Sequence, residues 1–114
     1  MSAPLSAARL LTSAASANAT AVKATNASVY RVFGVNTNAA IRYLKLYSLA
    51  VAPTVGTTVP LVTLALPAQA VFNYDLDGLW FPAGLGFGLV TGAADNDTTG
   101  VGSGDILGLN ILYT

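Results

Sequence analysis

From Ser28 onward, apolar and polar side chains exchange places every second residue, the repeat of a β-strand rather than of a helix. Val29, Arg31, Phe33 and Val35 alternate with Tyr30, Val32 and Gly34, so both faces of that stretch carry apolar groups. Ile41, Tyr43, Lys45 and Tyr47 form one face of the next run, with Arg42, Leu44, Leu46 and Ser48 on the other. Ala52 to Thr57, punctuated by Pro53 and Gly56, read as a loop. Val59 to Leu66 predict another strand, closed by Pro67, and Val71 to Leu76 a further one. Asp77-Gly78 and Pro82-Ala83-Gly84 have the chemistry of turns. Leu85, Phe87 and Leu89 then alternate with Gly86, Gly88 and Val90. Two glycines on one face leave room for a bulky neighbour, a role Trp80 or Phe81 would fill from the core. A polar loop over residues 92–105 leads to a last strand, Ile106 to Tyr113.

The first 27 residues lack this rhythm. They are rich in Ala, Ser, Thr and Asn, with no sustained period of either kind. They read as an extended N-terminal arm or a first weak strand, followed by a β-sandwich domain over residues 28–114. Seven or eight short strands at near-regular spacing, with no helical pattern, predict an all-β fold: a single two-sheet sandwich of jelly-roll type.

Composition narrows the chemistry. The chain has 114 residues, 54% of them hydrophobic and only 9% charged, with no His and no Cys. Without them there is no imidazole base, Ser-His-Asp triad, thiol nucleophile or disulfide framework. A formal net charge of zero argues against nucleic acid as a partner, because neutralising phosphates needs a basic excess. The longest charge-free stretch, Leu46 to Tyr74, is long enough to span a bilayer, but Pro53, Pro60 and Pro67 interrupt it. Thr12, Ser13 and Ser16 break the apolar run that a signal peptide would need after Arg9. The expectation is a non-enzymatic domain with no cofactor, no metal, no membrane association and no small-molecule substrate.

The ten charges are segregated. Arg9, Lys23, Arg31, Arg42 and Lys45 all precede residue 46, and Asp75, Asp77, Asp95, Asp97 and Asp105 all follow residue 74. Cross-strand pairing inside one sandwich explains this, and so does a basic half of one copy meeting the acidic half of another. The motifs that touch known chemistry are incomplete. Asp95-Asn96-Asp97-Thr98-Thr99-Gly100 opens like a calcium loop but has Thr99 at position five and Ile106 at position twelve. Asp75 and Asp77 form a carboxylate pair, yet Gly78 follows at once, which is ordinary turn chemistry. The glycine runs 84–88 and 100–104 precede no helix, as a phosphate cradle would require. Tyr43, Lys45 and Tyr47 make a stripe of aromatic, cationic and aromatic groups, suited to a protein interface or to stacking on sugars.

The order of these segments is similar to one known group. Arg42-Tyr43-Leu44-Lys45-Leu46-Tyr47 is followed by Ala52-Pro53-Thr54-Val55-Gly56-Thr57, Pro60 and Leu66-Pro67-Ala68. Gly84-Leu85-Gly86-Phe87, Thr91-Gly92-Ala93-Ala94-Asp95-Asn96-Asp97 and Asp105-Ile106-Leu107 come next, before the closing strand to Tyr113. Over residues 28–114 this resembles small virion proteins of tailed bacteriophages, of the capsid decoration or cement type. The resemblance implies a protein on the outer surface of the head, a homodimer or homotrimer that clamps neighbouring major capsid protein subunits. It carries no catalytic residues, and it does not separate head decoration from a tail or baseplate part. The contact residues expected from this reading are Arg42, Tyr43, Lys45 and Tyr47, with Leu10 and Leu11 of the N-terminal segment. The alternative is a carbohydrate-binding sandwich that stacks tyrosines on sugar rings.

Overall fold

A computed structural model describes residues 4–114. The described residues form eight strands: β1 (Ser6–Thr12), β2 (Thr20–Lys23), β3 (Ala27–Asn36), β4 (Arg42–Tyr47), β5 (Val62–Leu66), β6 (Ala70–Phe81), β7 (Leu85–Val90) and β8 (Ile106–Tyr113). They form two antiparallel four-stranded sheets, in the orders β1-β8-β3-β6 and β2-β7-β4-β5. Strand pairs are nested from the middle of the chain outwards: β4 with β5, β3 with β6, β2 with β7, β1 with β8. Folding one long hairpin over and wrapping it into two sheets gives this order, which is the eight-stranded jelly roll. Two of the strands, β1 and β2, come from the stretch before residue 28 and lie at one edge of each sheet.

The core lies between the sheets, where the inward positions of both alternate. Val29, Val32 and Phe72 face Leu44, Leu46, Leu66, Phe87 and Leu89, with Leu109 and Ile111 of β8 beside them. Each fully buried side chain of this size contributes about 1.5–3 kcal/mol relative to exposure. Tyr74 adds a polar link across the sandwich by donating its hydroxyl proton to the Ala65 carbonyl. At the end of β3, Asn36 is buried and satisfied: its amide donates to Ala40 O (3.1 Å) and Leu66 O (2.9 Å) and accepts from Asn38 N.

Two expectations are corrected in β6. Asp77-Gly78 does not end a strand. Both residues have positive φ, 50° and 80°, within a bulge where the register passes from Val29↔Leu79 to Arg31↔Asp75. Positive φ serves a bulge as well as a turn. The inserted residues also reverse which side chains face in. Phe81 is buried as expected, but Trp80 is 53% exposed on the outer face and fills no core space.

The two sheets differ on their outer sides. All six residues of β7 are buried, so that sheet is covered on both faces. The cover consists of two loops, residues 51–58 and 91–101. Pro53 and Val55 sit where side chains on Gly86 and Gly88 would project, at 3.2 and 2.8 Å from an added Cβ. This fills the space that sequence assigned to Trp80 or Phe81. Among the described residues none forms such a cover over the β1-β8-β3-β6 sheet.

Candidate interaction surfaces

On β4, alternation places Leu44 and Leu46 in the core and Tyr43, Lys45 and Tyr47 on the opposite face. In register they stand beside Val90, Gly88 and Gly86 of β7, and the glycines let the longer side chains lie flat across the sheet. Lys45 and Tyr47 have no exposed surface; Tyr43 is half-buried. The expected surface stripe is therefore corrected: loops cover it. The Lys45 ammonium donates to the Ala94 carbonyl of the overlying loop and lies close enough to favour the ionised Asp97 carboxylate.

The 91–101 loop is held closed by its own aspartate. Asp97 Oδ1 accepts from Thr99 N at 2.8 Å. Hydrogen bonds from Thr99 lead the groups that hold its carboxyl below the usual carboxylate range, with Gly92 N–H and Lys45 adding to them against a smaller desolvation penalty. Tyr47 is the counterpart: burial, then the charge of Asp95, pushes its phenol up. The Tyr47 hydroxyl is buried with no protein group in hydrogen-bond reach. Two substitutions in this layer therefore have opposite signs. Lys45→Met keeps the apolar stem but strips Ala94 O of its donor, and is expected to cost about 1–3 kcal/mol. Tyr47→Phe removes an unsatisfied buried hydroxyl and is expected to be neutral or stabilising by about 1 kcal/mol. Thermal unfolding of the two variants measures both.

Arg42 is engaged within the chain. Its Nε donates to Asp105 Oδ2 at 3.1 Å, the sole ion pair among the described residues. Asp105 also accepts from Gly102 N (2.8 Å) and Asn38 Nδ2 (3.0 Å). Next to it, Ser13 donates to Gly102 O and accepts from Ile106 N, which ties the segment after β1 to the same corner. Part of the charge segregation along the sequence is thus ordinary pairing within one sandwich. Asp75 Oδ1 accepts the Asp77 N–H at 3.0 Å, so this carboxylate braces the backbone of the bulge. Among the described residues no three His, Cys, Asp or Glu side chains are grouped to hold a metal ion.

The N-terminal pair divides. Leu10 packs against the core, opposite Leu109, while Leu11 is 71% exposed on the outer side. Leu11 belongs to a broader surface that sequence reasoning did not assemble, the uncovered face of the β1-β8-β3-β6 sheet. One cross-strand row of that face is Val71, Val35 and Leu107, which pairs with Thr12 of β1, and Leu11 lies one residue along from that row. The next contains Asn73, Phe33, Asn110 and Arg9, and the third Asp75, Arg31, Leu112 and Ala7. Each was visible as the non-core half of an alternating strand, but only the sheet order puts the four strands side by side.

No family model and no curated protein matches the chain. Among solved structures, the coat protein of Tobacco streak virus (2.1 Å, C2 crystal form) is similar at 13% identity and a TM-score of 0.37, across 95% of this chain and 85% of that one.

Proposed function

We propose that the protein is a non-enzymatic structural component of a virion, a decoration or cement protein that self-associates and docks on the outer capsid lattice. The observation that carries this reading is the uncovered face of the β1-β8-β3-β6 sheet, where Val71 is 73% and Leu11 71% exposed. With ten charged residues over 5,488 Å² of surface, little charge opposes protein contact. The jelly roll is shared by capsid proteins, lectins and cupins, so the fold is compatible with the reading and does not select it. The sequence resemblance over residues 28–114 supports a tailed-phage virion, and the placement on the head is part of the proposal. In this role each copy bridges major capsid protein subunits, and its binding energy opposes expansion of a shell under pressure from packaged DNA. The carbohydrate alternative is less well supported, because Tyr47 has no exposed ring to stack on a sugar and Tyr43 is half-buried.

The test is direct. Purified full-length protein is mixed with shells that lack it, and the pellet is assayed for copies per shell and for the temperature at which shells rupture. Saturable binding at a copy number set by capsid symmetry, with a raised rupture temperature, is expected. Protein that stays in the supernatant, or that is found in virions only on the tail, refutes head decoration.

A further inference from the structure

We infer that the uncovered face of the β1-β8-β3-β6 sheet is a two-fold interface with a second copy of this chain, packed face to face. The inference rests on the self-association in the reading above and gives it a surface and a symmetry.

The sheet order makes this face complementary to itself. A two-fold axis in the interface plane, parallel to the strands, lays β1 of one copy over β6 of the other and β8 over β3. Residues keep their level along the strands under this operation, so each cross-strand row meets its own copy. In the first row Leu107 then faces Val35 of the second copy, and Leu11, one residue from the Thr12 that pairs with Leu107, lies beside Val71 of the second copy, which makes an apolar band. In the second row Arg9 lies over Asn73, one row from Asp75. Arg9 and Asp75 are both exposed, and among the described residues neither forms an ion pair, with Arg31 standing opposite Asp75 in register. The operation brings each basic β1 edge over an acidic β6 edge, twice per dimer. A two-fold axis across the strands and centred on the second row instead lays β1 over β1 and sets Arg9 against Arg9.

The size is sufficient. Four strands about 4.8 Å apart and roughly eight residues at about 3.3 Å each give a flat footprint on the order of 500 Å² per copy. Two copies reach about 1,000 Å², the lower bound for a specific interface. The other outer face cannot serve in the same way, because the 51–58 and 91–101 loops already occupy it.

The experiment is sedimentation equilibrium of the full chain over a wide concentration range, with five variants. Wild type is expected to be a dimer. Val71→Asp should raise the dissociation constant by at least about tenfold, while Val59→Asp, equally exposed at 69% but outside this face, leaves it unchanged. Arg9→Asp and Asp75→Arg should each weaken the dimer, and the chain carrying both changes should regain it. Melting curves identify any variant that fails to fold, and the reciprocal pair decides the matter in that event. A monomer at all concentrations, a trimer, equal effects of Val71→Asp and Val59→Asp, or no recovery in the double variant overturns the inference. A dimer with the expected sensitivities that leaves shells bare upholds it and refutes decoration; a shell-binding protein that stays monomeric does the reverse.

Discussion

A chain starting at Ser28 is expected to lose cooperative folding. The truncation removes β1 and β2, the edge strands that pair with β8 and β7 respectively. It takes Ala8, Leu10 and Val22 away from the core they pack against, and it leaves Leu109 and Ile111 on a strand open at its edge. It also unseats the cover of the second sheet. Leu89 N donates to Ala17 O, and Ser16 bridges to Val101, so the segment between β1 and β2 braces both β7 and the 91–101 loop. At about 1.5–3 kcal/mol for each large apolar side chain returned to water, plus the unpaired backbone of two strands, the loss rivals the roughly 5–15 kcal/mol that holds a whole domain. Circular dichroism and a thermal melt of residues 28–114 measure it. A cooperative melt near that of the full chain would mean that residues 1–27 are an accessory arm. Deletion of the first five residues alone, which leaves β1 whole, should change the melt little.

The features that were legible in the sequence are those whose signal is local. Period-two alternation located β3, β4, β7 and β8 to within a residue or two, because each has a core face of Val, Leu, Ile or Phe. It gave little for β1 and β2, where Ala, Ser and Thr offer small contrast between faces and only one neighbour pairs with each strand. Trp80 was misplaced because Asp77-Gly78 reads as a turn that ends the strand; β6 instead runs on through a bulge there, and beyond it Leu79 and Phe81 point inwards while Trp80 points out. The burial of Lys45 and Tyr47 was hidden for a different reason. Their face is the outer one, and a two-layer sandwich leaves outer faces wet unless a distant loop lies over them. Gly86 and Gly88 were the available trace of that third layer. They mark a face where something approaches closely, though not that the neighbours would be Pro53, Val55 and β4's own long side chains. The uncovered sheet face was equally non-local, since Val71, Val35 and Leu107 become one row, with Leu11 beside it, only through the pairing of four strands far apart in sequence.

Asp105→Ala should be the most damaging single polar substitution, at about 3–5 kcal/mol, the range for removing one partner of a buried ion pair. The carboxylate is 8% exposed and joins three parts of the chain: Asn38 after β3, Arg42 at the start of β4, and Gly102 in the approach to β8. Its loss leaves the Arg42 guanidinium without its ion-pair partner, while the Asn38 amide and the Gly102 N–H lose an acceptor. Asp105→Asn retains an acceptor but no charge, and is expected to cost less than the alanine change. The same cluster sets the acid limit of the fold. Burial opposes ionisation of Asp105, but hydrogen bonds from Asn38, Gly102 and Arg42, with the charge of Arg42, outweigh it and hold the carboxyl below its ordinary range. A carboxyl depressed in the folded state binds its proton more readily when unfolded, so its contribution is complete above the unfolded value of about 3.9. It is lost as pH falls from there through the folded value. Wild-type stability should therefore be flat near neutrality and decline below about pH 4. The Asp105→Asn variant, which has no proton to gain at this site, should show a shallower decline, with Asp97 accounting for part of the remaining slope. Urea unfolding from pH 7 to pH 2 reads both curves. Parallel curves for wild type and variant would mean that Asp105 is not the group through which acid weakens the sandwich.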